Sequence, residues 1–291
     1  MLTRFAPAPT GFLHLGHVVN AIHVWGEARA RGGQVLLRIE DHDGDRSRPE
    51  FEAAILDDLD WLGFEPDIHP TAGFRAGPCD GRQSDRRAIY ARAAGDLRRR
   101  GVLYACRCSR RDLASAGADA ASGGELLPSG ALAKDGPYRG TCRDLALPFD
   151  GDVGWRVRLP SVDVSFVDRW RGSQTQTPAR QCGDLLIRDR RGHWTYQFVA
   201  TLDDHLQGIT DVIRGDDLLP STGRQILLGE MLGRTTPAAF AHHALVMKSL
   251  AQKLSKSEGD TGVRDLRRGG WSRDDVLAKA ELLIELARRP V

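Results

Sequence analysis

The first 62 residues alternate between apolar runs of strand length and amphipathic stretches of helix length, and this alternation most constrains the fold. Residues 14–31 place apolar side chains at helical spacing and end at a glycine pair, which predicts a helix. Residues 34–40 are typical of a buried strand, and Pro49 begins a second amphipathic helix. Strands and helices in this order form a parallel sheet with crossover helices. We therefore expect an α/β domain that binds ligands beyond the carboxyl ends of its strands.

A pair of histidines opens the first predicted helix. The segment before it is extended because Pro7 and Pro9 restrict the backbone, and the glycine that follows permits a tight turn. His14 and His17 are three residues apart and therefore face one side of the helix. A helix N-terminus carries unpaired N–H groups and partial positive charge, which favour phosphate. Together with Gly16, which leaves room for a flat adenine ring, the pair predicts a nucleotide site.

A second motif, Lys253-Leu254-Ser255-Lys256-Ser257, lies near the other end of the chain. Its two ammonium groups would stabilise a triphosphate whose charge concentrates on the leaving pyrophosphate. The ATP-binding residues predicted from both motifs are His14, Gly16, His17, Lys253, Ser255 and Lys256. Each motif alone is weak, because a histidine pair at this spacing more often caps or packs a helix and a lysine–serine loop is usually a solvated turn.

Taken together and in this order, the two motifs resemble the signatures of class I aminoacyl-tRNA synthetases. The segment from Arg4 to Gly11 looks like the glutamyl type of that family. Three further stretches match the family's amino-acid pocket in order, namely Arg38–Asp41, Trp194–Tyr196 and Val212–Leu218. The resemblance implies a Rossmann-like catalytic core that uses ATP with Mg²⁺, and catalytic roles for His14, His17 and Lys256.

The resemblance also implies a pocket for L-glutamate. Its expected residues are Arg4, Phe5, Ala6, Pro7, Ala8, Glu40, Tyr196 and Arg214. The side-chain carboxylate would lie against Arg4, Tyr196 and Arg214, and the ammonium group against Glu40. An arginine pairs with a carboxylate through two charge-assisted hydrogen bonds, so two arginines strongly disfavour the neutral amide of glutamine.

Alternatives remain open for this pocket. Glu40 could instead form a strand-end ion pair with Arg38, and Arg214 could be a structural turn residue. The family usually places a serine where this chain has Ala8, so one hydroxyl contact is missing. Its loss would weaken amino-acid binding by about 1 kcal/mol if no water replaces it.

The cysteines form a second group of candidate site residues. Five cysteines, two of them in a Cys-x-Cys, favour a reducing cytoplasm and a metal over a disulfide framework. Zinc prefers four ligands in a tetrahedron, and only three cysteines are obvious. Cys106-x-Cys108 followed by Tyr138-x-x-x-Cys142 resembles a zinc site of one synthetase-like branch, which implies one structural zinc with Tyr138 as the fourth ligand. The alternative is three reduced structural thiols.

The middle of the chain predicts a strand-rich subdomain inserted into the α/β core. Residues 155–159 and 162–168 alternate as half-buried antiparallel strands. Residues 189–192 predict a hairpin turn between strands at 184–187 and 194–198. The resembling family carries its acceptor-binding insertion in this region.

Three further segments complete the organisation. Residues 84–100 predict an arginine-rich helix started by Ser84, and 114–136 are rich in alanine, glycine and serine, which indicates a surface insertion. Residues 272–288 predict a helix capped by Ser272. The expected domains are a first half of the Rossmann-like core (1–100), an inserted zinc-containing, acceptor-binding subdomain (101–195), a second half of the core with the lysine–serine loop (196–257), and a short helical C-terminal extension (258–291).

Composition narrows the class of protein. A hydrophobic content of 41% and a charged content of 27% are ordinary for a soluble globular chain, and a net charge of +2 does not by itself indicate a nucleic-acid binder. The sequence contains no run that approaches the roughly 18 apolar residues of a membrane span, and its N-terminus does not resemble a signal peptide. We expect a cytoplasmic monomer without a membrane partner.

The number of residues after the lysine–serine loop helps to predict which tRNA receives the amino acid. Too few residues follow Ser257 to form an anticodon-binding domain, so none is expected. This shortness and the cysteine pattern resemble a short branch of the family, the glutamyl-queuosine tRNA(Asp) synthetases. That resemblance implies ATP-dependent activation of glutamate and its transfer onto queuosine in the anticodon of tRNA(Asp). The alternatives are a truncated glutamyl-tRNA synthetase that charges the 3′ end of tRNA(Glu), and a non-catalytic tRNA-binding regulator.

Overall fold

A computed structural model describes residues 1–109, 112, 137–249, 252–253 and 262–288 of the chain. The chain divides into two compact units, each assembled from separate segments. The first unit comprises Met1–Arg86, Gly208–Asp216 and Ala238–Val291, and the second comprises Arg87–Gln207 and Asp217–Pro237. The chain therefore passes between the units four times.

The helices and strands follow one another in a fixed order along the chain. They are β1 (Leu2–Phe5), α1 (Leu15–Ala30), β2 (Gln34–Leu37), α2 (Pro49–Leu62), α3 (Thr71–Ala76), a 3₁₀ helix (Gln83–Arg86), α4 (Arg87–Arg99), β3 (Leu103–Cys106), β4 (Gly154–Val157), β5 (Val164–Asp168), β6 (Gly172–Gln176), α5 (Pro178–Cys182), β7 (Leu185–Arg188), α6 (Tyr196–Leu206), β8 (Asp211–Gly215), a second 3₁₀ helix (Asp216–Ser221), α7 (Thr222–Met231), β9 (Ala239–His243), β10 (Met247–Ser249), β11 (Gln252–Lys253), α8 (Val263–Arg268) and α9 (Arg273–Arg288).

Parallel strands form the centre of the first unit. β1 pairs in parallel with β2, and β8 pairs in parallel with β9. The Thr210 N–H donates to the Leu2 carbonyl over 2.9 Å, so β1 and β8 start side by side. Because these strands run in one direction, their carboxyl ends face one edge of the unit. The expected parallel α/β fold is confirmed.

Helices cover the first unit's strands with apolar side chains. α1 buries Val18, Val19 and Val24, and α2 buries Ile55 and Leu59 on the face predicted by their spacing. α9 packs against α1, and Ser272 caps it as predicted, since the Ser272 Oγ accepts from the Asp275 N–H over 3.2 Å. No helix among the described residues has both the length and the apolar character needed to cross a membrane.

The second unit combines antiparallel strands with the helices α4, α5, α6 and α7. β4 lies between β3 and β7, and β5 and β6 form a hairpin. Its core contains the fully buried Tyr90, Val157, Ile187 and Phe198. The strand-rich character predicted for this part of the chain is therefore present.

Two local predictions need correction, one strand was not predicted, and one predicted segment lies outside the described residues. The hairpin predicted around 189–192 is present only as an antiparallel bridge between Arg188 and Trp194, and the predicted strand does not continue, because α6 begins at Tyr196 and buries Phe198 and Leu202. The helix predicted from Ser84 starts as a 3₁₀ turn, and its α-helical part begins at Arg87. β6 was not predicted, since Gly-Ser-Gln-Thr-Gln lacks apolar alternation and is a strand only through its pairing with β5. The segment 114–136 lies outside the described residues.

Candidate active site and candidate metal centre

Backbone hydrogen bonds bring the segment after β1 beside the segment after β2. The Arg38 N–H donates to the Phe5 carbonyl, and the Glu40 N–H donates to the Pro7 carbonyl, each over 3.0 Å. The prolines leave the carbonyls of this segment exposed to pairing while fixing it as extended chain. As a result, Phe5, Ala6, Pro7 and Ala8 lie next to Glu40 at the carboxyl edge of the first unit. Main-chain pairing therefore brings together five of the residues expected to bind glutamate.

The two histidines cap the N-terminus of α1. The Gly16 N–H donates to His14 Nδ1, and the His14 N–H donates to His17 Nδ1, each over 3.1 Å. Their ring centroids are 3.9 Å apart. Because each Nδ1 accepts a hydrogen bond, each neutral ring carries its proton on Nε2 and is a donor there. Capping is the more common role of such a pair, and contact with a nucleotide remains a prediction.

A side chain at position 16 would crowd the His14 ring. A Cβ placed at this position would lie 2.9 Å from His14 Cε1, closer than a side chain tolerates. The absence of a side chain lets the His14 ring fold back onto the helix N-terminus. Access for adenine at Gly16, which the sequence suggested, remains a prediction.

The chain that follows the lysine–serine motif returns to the same helix N-terminus. Gly262 forms an antiparallel bridge with His14, and the Val263 N–H donates to the Leu13 carbonyl over 2.7 Å. Lys253 lies in β11, which pairs with β10. Ser255 and Lys256 lie outside the described residues. The described chain on the carboxyl side of the motif is therefore anchored at His14.

Glu40 forms an ion pair inside the first unit. Its Oε1 accepts from Arg38 Nη2 over 3.0 Å, and both side chains are buried. The strand-end ion pair considered from the sequence is thus present. A carboxylate accepts several hydrogen bonds, so the pair with Arg38 is compatible with the predicted ammonium contact.

Arg4 and Arg214 are buried cations on β1 and β8, which start side by side. They are 5% and 4% exposed, which is unusual for arginine and indicates defined polar surroundings. Arg214 Nε donates to His242 Nε2 over 2.9 Å. Tyr196, the third residue predicted to hold the glutamate side chain, begins α6 in the second unit, and its role remains a prediction.

His242 was not identified from the sequence. It is completely buried in β9, where it is the register partner of Arg214. The available signal was a histidine pair, His242-His243, directly after the apolar run 238–241. A polar ring in a buried strand needs a partner, but the sequence does not reveal that β8 supplies it.

The three predicted cysteine ligands converge in the second unit. The sulfurs of Cys106, Cys108 and Cys142 all lie within 4.8 Å of one another, and Cys108 and Cys142 are 3.5 Å apart. The Tyr138 hydroxyl lies 3.6 Å from the Cys106 sulfur. Ligands about 2.3 Å from a tetrahedral zinc lie roughly 3.8 Å from one another. The donor set and its spacing therefore fit one zinc ion.

Binding of a zinc ion would change the protonation state of these ligands. Burial raises the pKa of the Cys108 thiol to about 12, and it raises the pKa of Tyr138 as well. Zinc binds the deprotonated forms, so its binding would displace these protons. Tyr138 is held in place for this role because its hydroxyl accepts from the Cys142 N–H over 2.7 Å.

Asp184 connects the cysteine cluster to the β3–β4–β7 sheet and was also missed from the sequence. It accepts two hydrogen bonds from Arg143, at 2.7 and 2.6 Å, and one from the Tyr104 hydroxyl at 2.6 Å. Burial alone would raise the pKa of Asp184, but these hydrogen bonds and one from the Leu159 N–H lower it below its usual value. Its partners are distant in sequence, so no local pattern points to it.

Comparison with known proteins shows the family of this chain. The family model described as "tRNA synthetases class I (E and Q), catalytic domain" matches residues 1–283. The chain belongs to this family. It is therefore a ligase, and the class I synthetase catalytic fold implied by the sequence resemblance is confirmed.

Two curated relatives of this chain share a name. A glutamyl-Q tRNA(Asp) synthetase of Rhodobacter capsulatus is 37% identical over 95% of this chain and 98% of the relative. A protein of the same name from Pseudomonas fluorescens is 41% identical over 87% of this chain and 75% of the relative. The short glutamyl branch recognised in the sequence is the branch that these names denote.

A solved structure supports the same assignment of family. A glutamate tRNA ligase from Elizabethkingia meningosepticum, solved in complex with its amino acid, has 31% sequence identity and a TM-score of 0.72. The match covers 93% of this chain but 53% of the ligase. This chain thus spans about half the length of that ligase.

Proposed function

We propose that the protein uses ATP to activate L-glutamate as glutamyl-adenylate and then transfers the glutamate to queuosine at the wobble position of tRNA(Asp). One observation carries the proposal. The capped N-terminus of α1 opens at the carboxyl edge of the parallel strands, where backbone pairing places Phe5–Ala8 beside Glu40. The names of the curated relatives support the choice of acceptor.

In the first step, the glutamate α-carboxylate attacks the α-phosphorus of ATP. A C–O–P linkage forms, the bond between the α-phosphorus and the bridging oxygen breaks, and pyrophosphate leaves. No side-chain base is needed because the carboxylate is ionised at neutral pH. The Nε2–H groups of His14 and His17 would donate to phosphate and ribose oxygens, and Lys256 would stabilise the developing charge. Mg²⁺ bound with ATP would neutralise phosphate charge.

In the second step, a hydroxyl of the queuosine cyclopentene ring attacks the acyl carbonyl of the adenylate. An ester forms, AMP leaves, and the hydroxyl proton passes to the adenylate phosphate or to water. The chain is asked mainly to position the two reactants, which alone contributes several kcal/mol to such reactions.

A zinc ion would have a structural role. Cys106, Cys108, Tyr138 and Cys142 would hold it, and with four protein ligands no position is left for a reacting water. It would join the end of β3 to the segment that carries Tyr138 and Cys142.

Pyrophosphate exchange tests the activation step. We expect glutamate-dependent exchange, measured with and without tRNA, and a fall of at least about 100-fold in Lys256→Ala. Lys279→Ala, which alters an exposed lysine of α9, is the matched control and should exchange normally. An unchanged rate in Lys256→Ala would refute the role assigned to that lysine.

Labelled glutamate tests the acceptor. Product on tRNA(Asp) that disappears when the tRNA lacks queuosine is the expected result. Label on the 3′ end of tRNA(Glu) would instead identify a truncated glutamyl-tRNA synthetase. Binding of tRNA without any glutamate-dependent exchange would identify a regulator and overturn the enzymatic proposal.

A further inference from the structure

Arg214 and His242 form a buried side-chain pair across two parallel strands of the first unit. They are register partners on β8 and β9. Arg214 Nε donates to His242 Nε2 over 2.9 Å, and the residues are 4% and 0% exposed. Burial removes competing water, so this hydrogen bond sets the orientation of the guanidinium group.

The direction of this hydrogen bond determines the protonation state of His242. Arginine remains protonated in proteins, so its Nε is always a donor. His242 Nε2 must therefore accept, which makes the ring neutral with its proton on Nδ1. A neutral acceptor satisfies Nε without cancelling the positive charge of Arg214. An aspartate or glutamate in the same place would accept the same hydrogen bond but neutralise that charge.

Phe240 holds the pair in a defined geometry. Its ring is nearly parallel to His242, with an angle of 11° between the planes and 6.1 Å between the centroids. The guanidinium carbon of Arg214 lies 5.4 Å from the centre of the same ring. Contact with one aromatic side chain thus restricts both the imidazole and the guanidinium.

We infer that His242 is a positioning residue for Arg214, which it aims at the side-chain carboxylate of the amino-acid substrate through a hydrogen bond that adds no negative charge beside the guanidinium. The inference rests on the proposed glutamate site. A guanidinium bonded through Nε to a neutral partner presents its charge to an anionic ligand, which favours an acidic side chain over the isosteric amide. His242 thereby contributes to the selection of glutamate over glutamine.

Kinetics of amino-acid activation test the inference. His242→Ala leaves Nε of a buried cation without its acceptor, and we expect KM for glutamate to rise about 10–100-fold. KM for ATP should stay within about twofold, because the lost contact lies in the amino-acid pocket. His242→Gln offers a neutral carbonyl acceptor and should recover most of the loss. His205→Ala, a histidine of α6 in the second unit, is the matched control and should behave as wild type.

Specificity gives the sharper readout. His242→Glu supplies a charged acceptor and should lower the preference for glutamate over glutamine in kcat/KM by about tenfold or more, while His242→Gln should keep it. Equal rises in KM for glutamate and ATP, or no change in preference in His242→Glu, would overturn the inference.

The tautomer separates this inference from the proposed function. Long-range ¹H–¹⁵N spectra of histidine-labelled protein should show His242 as the Nδ1–H form, with the signal assigned by its absence in His242→Gln. An Nε2–H form would overturn the positioning role whether or not the protein is active. An Nδ1–H form without any glutamate-dependent exchange would overturn the proposed function, and with it the glutamate role of His242.

Discussion

The two units position their candidate site residues in different ways. In the first unit, main-chain pairing between parallel strands brings Phe5–Ala8 beside Glu40 and aligns Arg214 with His242. In the second unit, one buried carboxylate, Asp184, holds the segment that supplies Cys142 through Arg143. The first arrangement distributes its support over many backbone hydrogen bonds, whereas the second concentrates it in a few side chains.

Two buried aspartates, one in each unit, differ in the direction of their pKa shifts. Asp184 is surrounded by donors, which lower its pKa although burial acts in the opposite direction. Asp58 on α2 is 3% exposed, and its Oδ2 has no hydrogen-bond partner among the described residues. Burial raises the pKa of Asp58 to about 7, opposed mainly by Arg267. The ionised carboxylate of Asp184 therefore stabilises the fold and that of Asp58 destabilises it, because within the described part of the chain only Asp184 is surrounded by hydrogen-bond donors.

The largest effect on stability is expected at Gly183 in the second unit, where the backbone lies directly against Tyr138. Gly183 has φ of +65°, and a Cβ there would overlap the Tyr138 carbonyl. Gly183→Ala should lower the free energy of unfolding by about 4 kcal/mol or more, from left-handed strain plus the clash. Gly172→Ala is the matched control, since φ is +71° but nothing lies within 4 Å of the added carbon. Denaturant unfolding should show a loss of about 1–2 kcal/mol for the control, and equal losses would contradict the clash.

Asp184→Asn tests the dependence on a single carboxylate. We expect a loss of about 3 kcal/mol at pH 7, because Arg143 loses its anionic partner. Asp144→Asn, which alters an 83% exposed partner of Arg158, should cost less than about 1 kcal/mol.

The lowered pKa of Asp184 determines how its contribution to the free energy of unfolding changes with pH. Its folded pKa lies below the unfolded value near 4, so its stabilisation is present above that value and is lost as pH falls through the folded pKa. The gap between wild type and Asp184→Asn should therefore close in acid. A constant gap between pH 7 and pH 3 would exclude the ionic origin.

Asp58→Asn should stabilise the protein at alkaline pH. The folded pKa of about 7 exceeds the unfolded value, so the cost of the carboxylate begins near pH 4 and is complete above pH 7. We expect a gain of about 1–4 kcal/mol at pH 8 and roughly a quarter of that gain at pH 4.5. Asp57→Asn, at the exposed neighbouring position, is the control and should show no such pH dependence. Thermal unfolding at the two pH values measures the difference.

The smallest effect is expected in the first unit. His14→Ala removes a cap of α1 and should cost about 1 kcal/mol, while His14→Asn, which can still cap, should cost less. Denaturant unfolding measures both. If pyrophosphate exchange falls in both variants, the imidazole acts on the nucleotide in addition to capping; exchange that follows stability alone would leave only the structural role.

Much of the first unit was predictable from local pattern. Apolar spacing predicted α1 and α2, and Ser272 predicted the start of α9, because capping and amphipathic burial act within a few residues. The strand predicted at 194–198 was wrong beyond the Trp194 bridge, since β-prone residues from Tyr196 onward lie in a helix that buries Phe198. Asp184 and His242 were missed, because Tyr104 and Arg214 reach them only through tertiary pairing.

The sequence by itself determined the family, the parallel α/β character of the N-terminal part and the chemical types of the candidate ligands. These properties follow from residue identity, order and short-range periodicity, which a single chain displays directly. The tertiary structure decided that His14 pairs with Gly262, that three sulfurs lie within 4.8 Å of one another, and that Arg214 has a neutral partner. Such contacts join residues far apart in the chain, and strand register and burial, rather than local propensity, select them.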